Sequence, residues 1–285
     1  MTVHLEGLTD ATTLMREIVD CGGLAATDVE QRWARENAEL GWNVNQDARR
    51  YGVTAHQHDA AMERLYREGD GFIFETLNYW ITPNRQQWSA RGLARLQRYC
   101  HEQGIAPAAL RLLMLGDGSA SDTLMLLGHG FRPHYYDVPG SLTSAFSRAR
   151  FAARGVAGQV DVIDDFERLK DGSYQALWCY DVLEHLPALP QAIHDMSAML
   201  APDGIALITE SCEHVRPDLP THLAINRQYA GRVPRLFHAA GLALRHFVPG
   251  SDYRPCEYRK LVNPSQAVRL HAAALRLAVA RGWRR

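Results

Sequence analysis

The sequence predicts an α/β protein, with an all-helical segment over residues 1–105 followed by a doubly wound sheet. Two observations carry that fold class. From Arg111 onward, short apolar runs alternate with stretches of helical spacing, the pattern of strands linked by crossover helices. Before that point, apolar residues recur at helical intervals only. A third observation places a ligand. Leu112-Leu113-Met114-Leu115 is a short apolar run that breaks at Gly116-Asp117-Gly118-Ser119-Ala120. A helical stretch follows from Ser121 to Leu127, and a second strand runs through Tyr135-Tyr136 to Asp137. Strand, glycine turn, helix, strand and acid is the layout of a nucleotide-binding unit. Glycines let the backbone approach a ligand closely, and the terminal acid can accept from both ribose hydroxyls.

The helical segment is read in order. Leu14, Ile18 and Val19 form one face after a cap at Thr9 or Asp10, and Gly22-Gly23 ends that helix. A second helix starts at Thr27-Asp28 and runs through Trp33 to Leu40. Residues 43–52 are polar and are expected to form a loop. Residues 54–68 predict a third helix, with Ala61, Met62 and Leu65 on one side. Phe72, Phe74, Leu77, Tyr79 and Trp80 form a dense aromatic group, suited to a helix core or to a lid over an apolar substrate. Pro83 opens a helix that carries Trp88, Leu93, Leu96 and Tyr99 to Gly104. This segment precedes the glycine turn and is the candidate for selecting substrate.

The sheet continues with a helix over 141–154 and a third strand at 160–163, ending on Asp164-Asp165-Phe166. A fourth strand at 174–180 ends on Asp181-Val182-Leu183-Glu184-His185. After a helix over 190–200 and the Pro202-Asp203-Gly204 turn come a fifth strand at 205–209 and a helix over 227–240. Strands at 242–248 and 258–262 complete the sheet, and Pro264 stops the last. Residues 264–285 predict a basic amphipathic helix, expected to pack on the body of the protein or on a second copy in a homodimer.

Composition narrows the function classes. The 285 residues carry a formal net charge of −1, which gives no global argument for nucleic acid or an anionic membrane as partner. Lys170 and Lys260 are the only lysines, an arginine bias expected of a GC-rich, bacterial genome. Five scattered cysteines without metal spacing fit reduced thiols in a cytoplasmic protein. No basic patch and apolar core mark a signal peptide, and no apolar run is long enough to span a bilayer.

Taken together, the strand ends resemble those of the class I S-adenosylmethionine-dependent methyltransferases. Gly116-Asp117-Gly118 is similar to their glycine motif and Asp137 to the acid that holds the ribose. Asp164-Asp165-Phe166 is similar to the segment that reads adenine. Tyr180-Asp181-Val182-Leu183-Glu184-His185-Leu186 resembles the fourth-strand segment of small-molecule members. Met199 to Leu207 resembles the turn before the fifth strand. The resemblance covers residues 110–250. It implies a seven-stranded Rossmann-like domain over 106–263, behind a helical substrate or lid domain over 1–105. It also implies S-adenosylmethionine as cofactor, with Gly116, Asp117, Gly118, Asp137, Asp164, Asp165, Phe166, Tyr180 and Asp181 around it.

The chain departs from the pattern at two points. Met114 stands where the family has an acid that helps hold the methionine amino group, and Ala120 replaces the third glycine. Asp117, or a residue from the N-terminal helices, would have to compensate for Met114.

Methyl transfer to oxygen profits from a base, and His185, His214 and His222 are the candidates. Asp181, Glu184 and His185, with a later loop histidine, have the ligand types of a divalent-metal site. The segment is also common in metal-free members, and no metal is expected. The function this implies is methyl transfer to a small-molecule acceptor, with oxygen favoured. A cofactor-binding but catalytically silent partner is the alternative; metal-assisted and nucleic-acid methyltransferases rank below both.

Overall fold

The computed structural model describes residues 6–247 and 254–261. Six helices come first: α1 (Ala11–Gly22), α2 (Ala26–Ala38), α3 (Trp42–Tyr51), α4 (Ala60–Glu68), α5 (Gly71–Trp80) and α6 (Pro83–Gln103). Asp10 caps α1 by accepting from Thr13 N at 2.8 Å, and Thr82 caps α6 with Pro83 in its first turn. The polar stretch 43–52, expected as loop, is the helix α3. Two of its polar residues, Asn43 and Asp47, are buried rather than solvated. Glu36 of α2 accepts from Asn43 N at 3.0 Å and Asn43 Nδ2 at 2.7 Å, and Asp47 accepts from Gly71 N at 2.8 Å. Polarity here marks helix-to-helix hydrogen bonding, which sequence periodicity does not separate from loop.

The sheet has seven strands: β1 (Leu112–Leu115), β2 (His134–Tyr136), β3 (Asp161–Val162), β4 (Tyr174–Tyr180), β5 (Leu200–Thr209), β6 (Leu242–His246) and β7 (Cys256–Lys260). Their order is β3-β2-β1-β4-β5-β7-β6; β7 is antiparallel to β5 and β6, and the remaining pairs are parallel. Helices α7 (Ser121–Gly128), α8 (Leu142–Ala153), α9 (Leu189–Met199) and α10 (Val233–Ala239) link them. The helix expected over 227–240 is shorter: a 3-10 turn at Ala224–Tyr229 precedes Gly231, whose φ of +66° separates it from α10. The last strand begins at Cys256, two residues before the expected start, because Cys256 pairs with Ile208. The expected helix over 264–285 and the domain boundary before it lie outside the described residues.

Both sheet faces are covered, so its central strands are apolar throughout. Leu112, Met114, Ala176 and Trp178 face α6, α7 and Phe151 of α8; Leu113, Leu115, Leu177 and Cys179 face α9 and α10. Helix α6 lies close to β4 because residue 92 is glycine. A Cβ there would overlap Tyr180 Oη and the Trp178 ring. Gly92→Ala is expected to destabilise the protein by about 2 kcal/mol or more, read from urea melts, since the overlapped groups are themselves buried.

Candidate active site

The crossovers diverge between β1 and β4, the place in an open α/β sheet where a crevice forms at the carboxyl ends of the strands. The glycine loop leaves β1 there, Asp137 follows β2 and Asp181 follows β4. A cavity of about 660 Å³ opens at this edge. Gly116, Gly118, Asp137, Asp181 and His185 line one side of it, and Tyr66, Phe72, Glu75 and Tyr79 of the helical segment line the other. A smaller space of about 100 Å³ adjoins it, between Arg85 of α6, the glycine loop, Tyr180 and Asp181.

Left-handed backbone shapes the loop: φ is +74° at Gly116, +49° at Gly118 and +63° at Ala120. Ala120, where a third glycine was expected, holds a conformation that costs a non-glycine residue roughly 1–2 kcal/mol. Hydrogen bonds hold the loop in place. Gly118 N donates to Asp137 Oδ2 at 2.7 Å, while Gly118 O accepts from Tyr135 Oη and Ser147 Oγ, each at 2.6 Å. Val138 N donates to the other oxygen of Asp137 at 2.7 Å. Burial raises the Asp137 carboxyl above its usual range. Asp117 turns away from the cavity to cap α7. Its oxygens accept from Asp122 N at 3.3 Å, Thr123 N at 2.7 Å and Thr123 Oγ1 at 2.6 Å.

Asp181 follows β4 with φ +55° and exchanges hydrogen bonds with Thr209 at 2.9 Å. His185 lies half-buried between Tyr66 and His222, edge-on to each. Its Nδ1 lies 3.1 Å from Thr221 O, so the proton sits on Nδ1 and Nε2 carries the lone pair. Burial lowers the His185 pKa. Burial and then His185 bring His222 down to about 3. Burial, then Asp181, raises Glu184 well above the carboxylate range. Asn226 holds this turn by donating to the carbonyls of Leu183, Glu184 and Leu186 at 3.3, 3.1 and 2.9 Å. Donor atoms of Glu184, His185 and His222 all lie within 4.8 Å of one another, a set that could also hold a metal ion.

Of the residues singled out from sequence, Gly116, Gly118, Asp137, Asp181, His185 and His222 share the large cavity, while Tyr180 and Asp117 line the smaller one. His214 stands at the outer part of the cavity wall, half exposed, 3.7 Å from Glu213. Asp164 and Asp165 are exposed and do not line the large cavity. Asp164 pairs with Arg148 at 2.5 Å, and Asp165 accepts from Glu167 N at 3.0 Å. Phe166 packs against Tyr136 at 5.4 Å.

Sequence reasoning missed Arg85, Asp122 and Glu75. Asp122 is 1% exposed; it pairs with Arg85 and accepts from Ser89 Oγ at 2.7 Å and Trp178 Nε1 at 3.1 Å. Burial opposes the Arg85 charge, yet Asp122 and Asp181 outweigh it and raise its pKa. Burial, with Glu36 and Asp181, pushes Glu75 up to about 8, so this cavity-lining carboxyl holds a proton at neutral pH. No local motif links these residues; an arginine in the first turn of a helix that reaches across to the glycine loop was the only available signal.

This set fits S-adenosylmethionine. Asp137 keeps free lone pairs for a ribose diol, two glycines open the backbone, and the smaller space pairs a cation with an anion.

Residues 113–208 match the family model described as a methyltransferase domain. The CurJ carbon methyltransferase is similar in fold, at TM-score 0.54 and 14% identity, over 88% of this chain and 70% of that one. An O-methyltransferase family protein from Burkholderia thailandensis gives 0.46 and 15%, over 80% and 71%. The [4+2]-cyclase SpnF gives 0.42 and 16%, over 54% and 75%. No curated protein matches the chain. The matched segment spans the glycine loop, Asp137, Asp181 and His185. Residues 113–208 thus form a methyltransferase domain, on the seven-stranded Rossmann-like sheet described above.

Proposed function

We propose that the protein methylates an oxygen of a small-molecule acceptor held between α4–α6 and the carboxyl ends of β1, β4 and β5. One observation carries the reading. His185 is tied by its Nδ1 to Thr221 O and is kept neutral by burial, which leaves Nε2 as a proton acceptor in the cavity wall. Bound S-adenosylmethionine supplies an electrophilic methyl group on a sulfonium. The chain's own residues do the rest. Asp137 holds the ribose end. Tyr66, Phe72, Tyr79 and Trp88 give the acceptor an apolar wall. His185 takes the hydroxyl proton as the oxygen attacks, and His222, edge-on at 4.9 Å, keeps the ring in place. His214, at the outer wall, is the second candidate base. The helical segment 1–105 acts as the substrate-selecting part. Among the described residues no helix is long and apolar enough to cross a membrane.

The test has two stages. Calorimetry with S-adenosylhomocysteine comes first; no binding at millimolar ligand would sink the methyltransferase reading. Methyl-labelled S-adenosylmethionine is then offered with phenolic and alcoholic acceptors, and with amines as the contrast. Transfer to amines alone would overturn oxygen as the acceptor. His185→Gln is expected to lower kcat by about 100-fold or more while cofactor affinity stays within about twofold. Because burial lowers the His185 pKa, the base form persists through neutral pH. The acid limb of kcat/KM should therefore fall below pH of about 6.5, the unperturbed value. A limb above that value would exclude His185 as the base.

A further inference from the structure

Met114 poses a problem that the fold resolves. It stands on β1 where the resembled family carries an acid for the methionine end of the cofactor. Here it is fully buried among Trp88, Leu96 and Trp178 and offers no polar group. Asp117 does not replace it, because its carboxylate is occupied by Thr123 and the first turn of α7. No acid in 112–118 is therefore free to meet a charged ligand. The glycine loop nonetheless borders the smaller space, and that space is lined by one guanidinium and by the carboxylates of Asp122 and Asp181 from elsewhere in the chain; Asp122 is already paired with the guanidinium, which leaves Asp181.

The guanidinium is Arg85. It is held from several sides: Nη2 by Asp122, Nη1 by Ser89 Oγ at 2.5 Å, and its faces by the rings of Trp80 and Tyr180 at 5.6 and 5.2 Å. Two of its five N–H groups are used in this way, and Nε lies 3.9 Å from Asp181 Oδ2, outside hydrogen-bond range. Asp181 in turn uses Oδ1 toward Thr209 and leaves Oδ2 facing Arg85. A fixed cation and a fixed anion about 4 Å apart, beside an open space, present the charge pattern that an α-amino acid complements. Its carboxylate meets the guanidinium, and its ammonium meets the aspartate.

We infer that Arg85 and Asp181 form the binding subsite for the α-carboxylate and α-ammonium of the cofactor, in place of the acid absent at position 114. Asp122 and Ser89 are positioning residues for Arg85. The subsite therefore draws one of its two charges from α6, in the helical segment, and the other from the end of β4. This rests on the cofactor reading above, and the experiment separates the two.

The full chain is titrated by calorimetry with S-adenosylhomocysteine and with 5′-methylthioadenosine, which keeps the adenosine and sulfur but lacks the amino-acid end. The wild type should bind the first at least about tenfold more tightly. Arg85→Lys keeps a cation for Asp122 but loses the planar fork; Asp181→Asn leaves the Arg85–Asp122 pair untouched. Each should weaken S-adenosylhomocysteine at least about tenfold while leaving 5′-methylthioadenosine within about twofold. A merely structural role would weaken both ligands alike, and that result, or an unchanged ratio between them, would overturn the inference. If Arg85→Lys fails to fold, Asp181→Asn alone decides. A wild type that binds neither ligand refutes the cofactor reading and this subsite with it.

Discussion

Arg85→Met should destabilise the protein by about 3–5 kcal/mol, measured by chemical denaturation at neutral pH. The size follows from what is left behind. Asp122 is 1% exposed and faces Arg85, Ser89 and Trp178. Without the guanidinium its carboxylate is a buried charge with only neutral partners. The double variant Arg85→Met/Asp122→Leu should recover much of the loss, because it removes the stranded charge as well. A single variant as stable as the wild type would show that the loss of Arg85 strands no charge at Asp122.

Asp137→Ala should weaken S-adenosylhomocysteine binding more than tenfold, or more than about 1.4 kcal/mol. Two effects add. In the proposed site the carboxylate accepts from the ribose hydroxyls, and it also fixes the glycine loop through Gly118 N and Val138 N at 2.7 Å each. Asp137→Asn, which keeps one acceptor oxygen, should fall between alanine and wild type. The pH dependence has a definite sign. Burial raises the carboxyl pKa above 3.8, so protonation, and with it the loss of cofactor affinity, sets in at a higher pH than for an exposed aspartate. Unchanged affinity in Asp137→Ala would place the ribose elsewhere.

The strands and the glycine loop were legible because a buried parallel sheet writes itself as short apolar runs, and positive φ writes itself as glycine at Gly116 and Gly118. Asp137 and Asp181 were legible because strand ends fix their place. Helix α3 was not. Asn43 and Asp47 look like loop residues in sequence, and only the facing backbone of Gly71 and the side chain of Glu36 make them interior. Arg85 and Asp122 were hidden for a related reason: their meeting depends on how α6 crosses the sheet at Gly92, and no local pattern records a crossing. Asp164 and Asp165 were legible as the acids that follow β3; that their carboxylates accept from Arg148 and from Glu167 N in a 3-10 turn was not.

The row of rings from Phe72 through Tyr66 to His185 and His222 has a consequence for engineering. Phe72 stacks on Tyr66 at 4.9 Å, and Tyr66 meets the His185 ring edge-on at 6.3 Å. In the function proposed above, the segment that shapes the acceptor's berth is thus also the buttress behind the imidazole. A chimaera that imports the helical half of another enzyme onto this sheet is expected to change what is admitted and, in the same stroke, to loosen the ring that works on it. On that proposal acceptor range and turnover are mechanically tied. Altering one while sparing the other calls for changes at wall positions such as Val44 or Asn84, which border the cavity without any ring contact to His185 or His222.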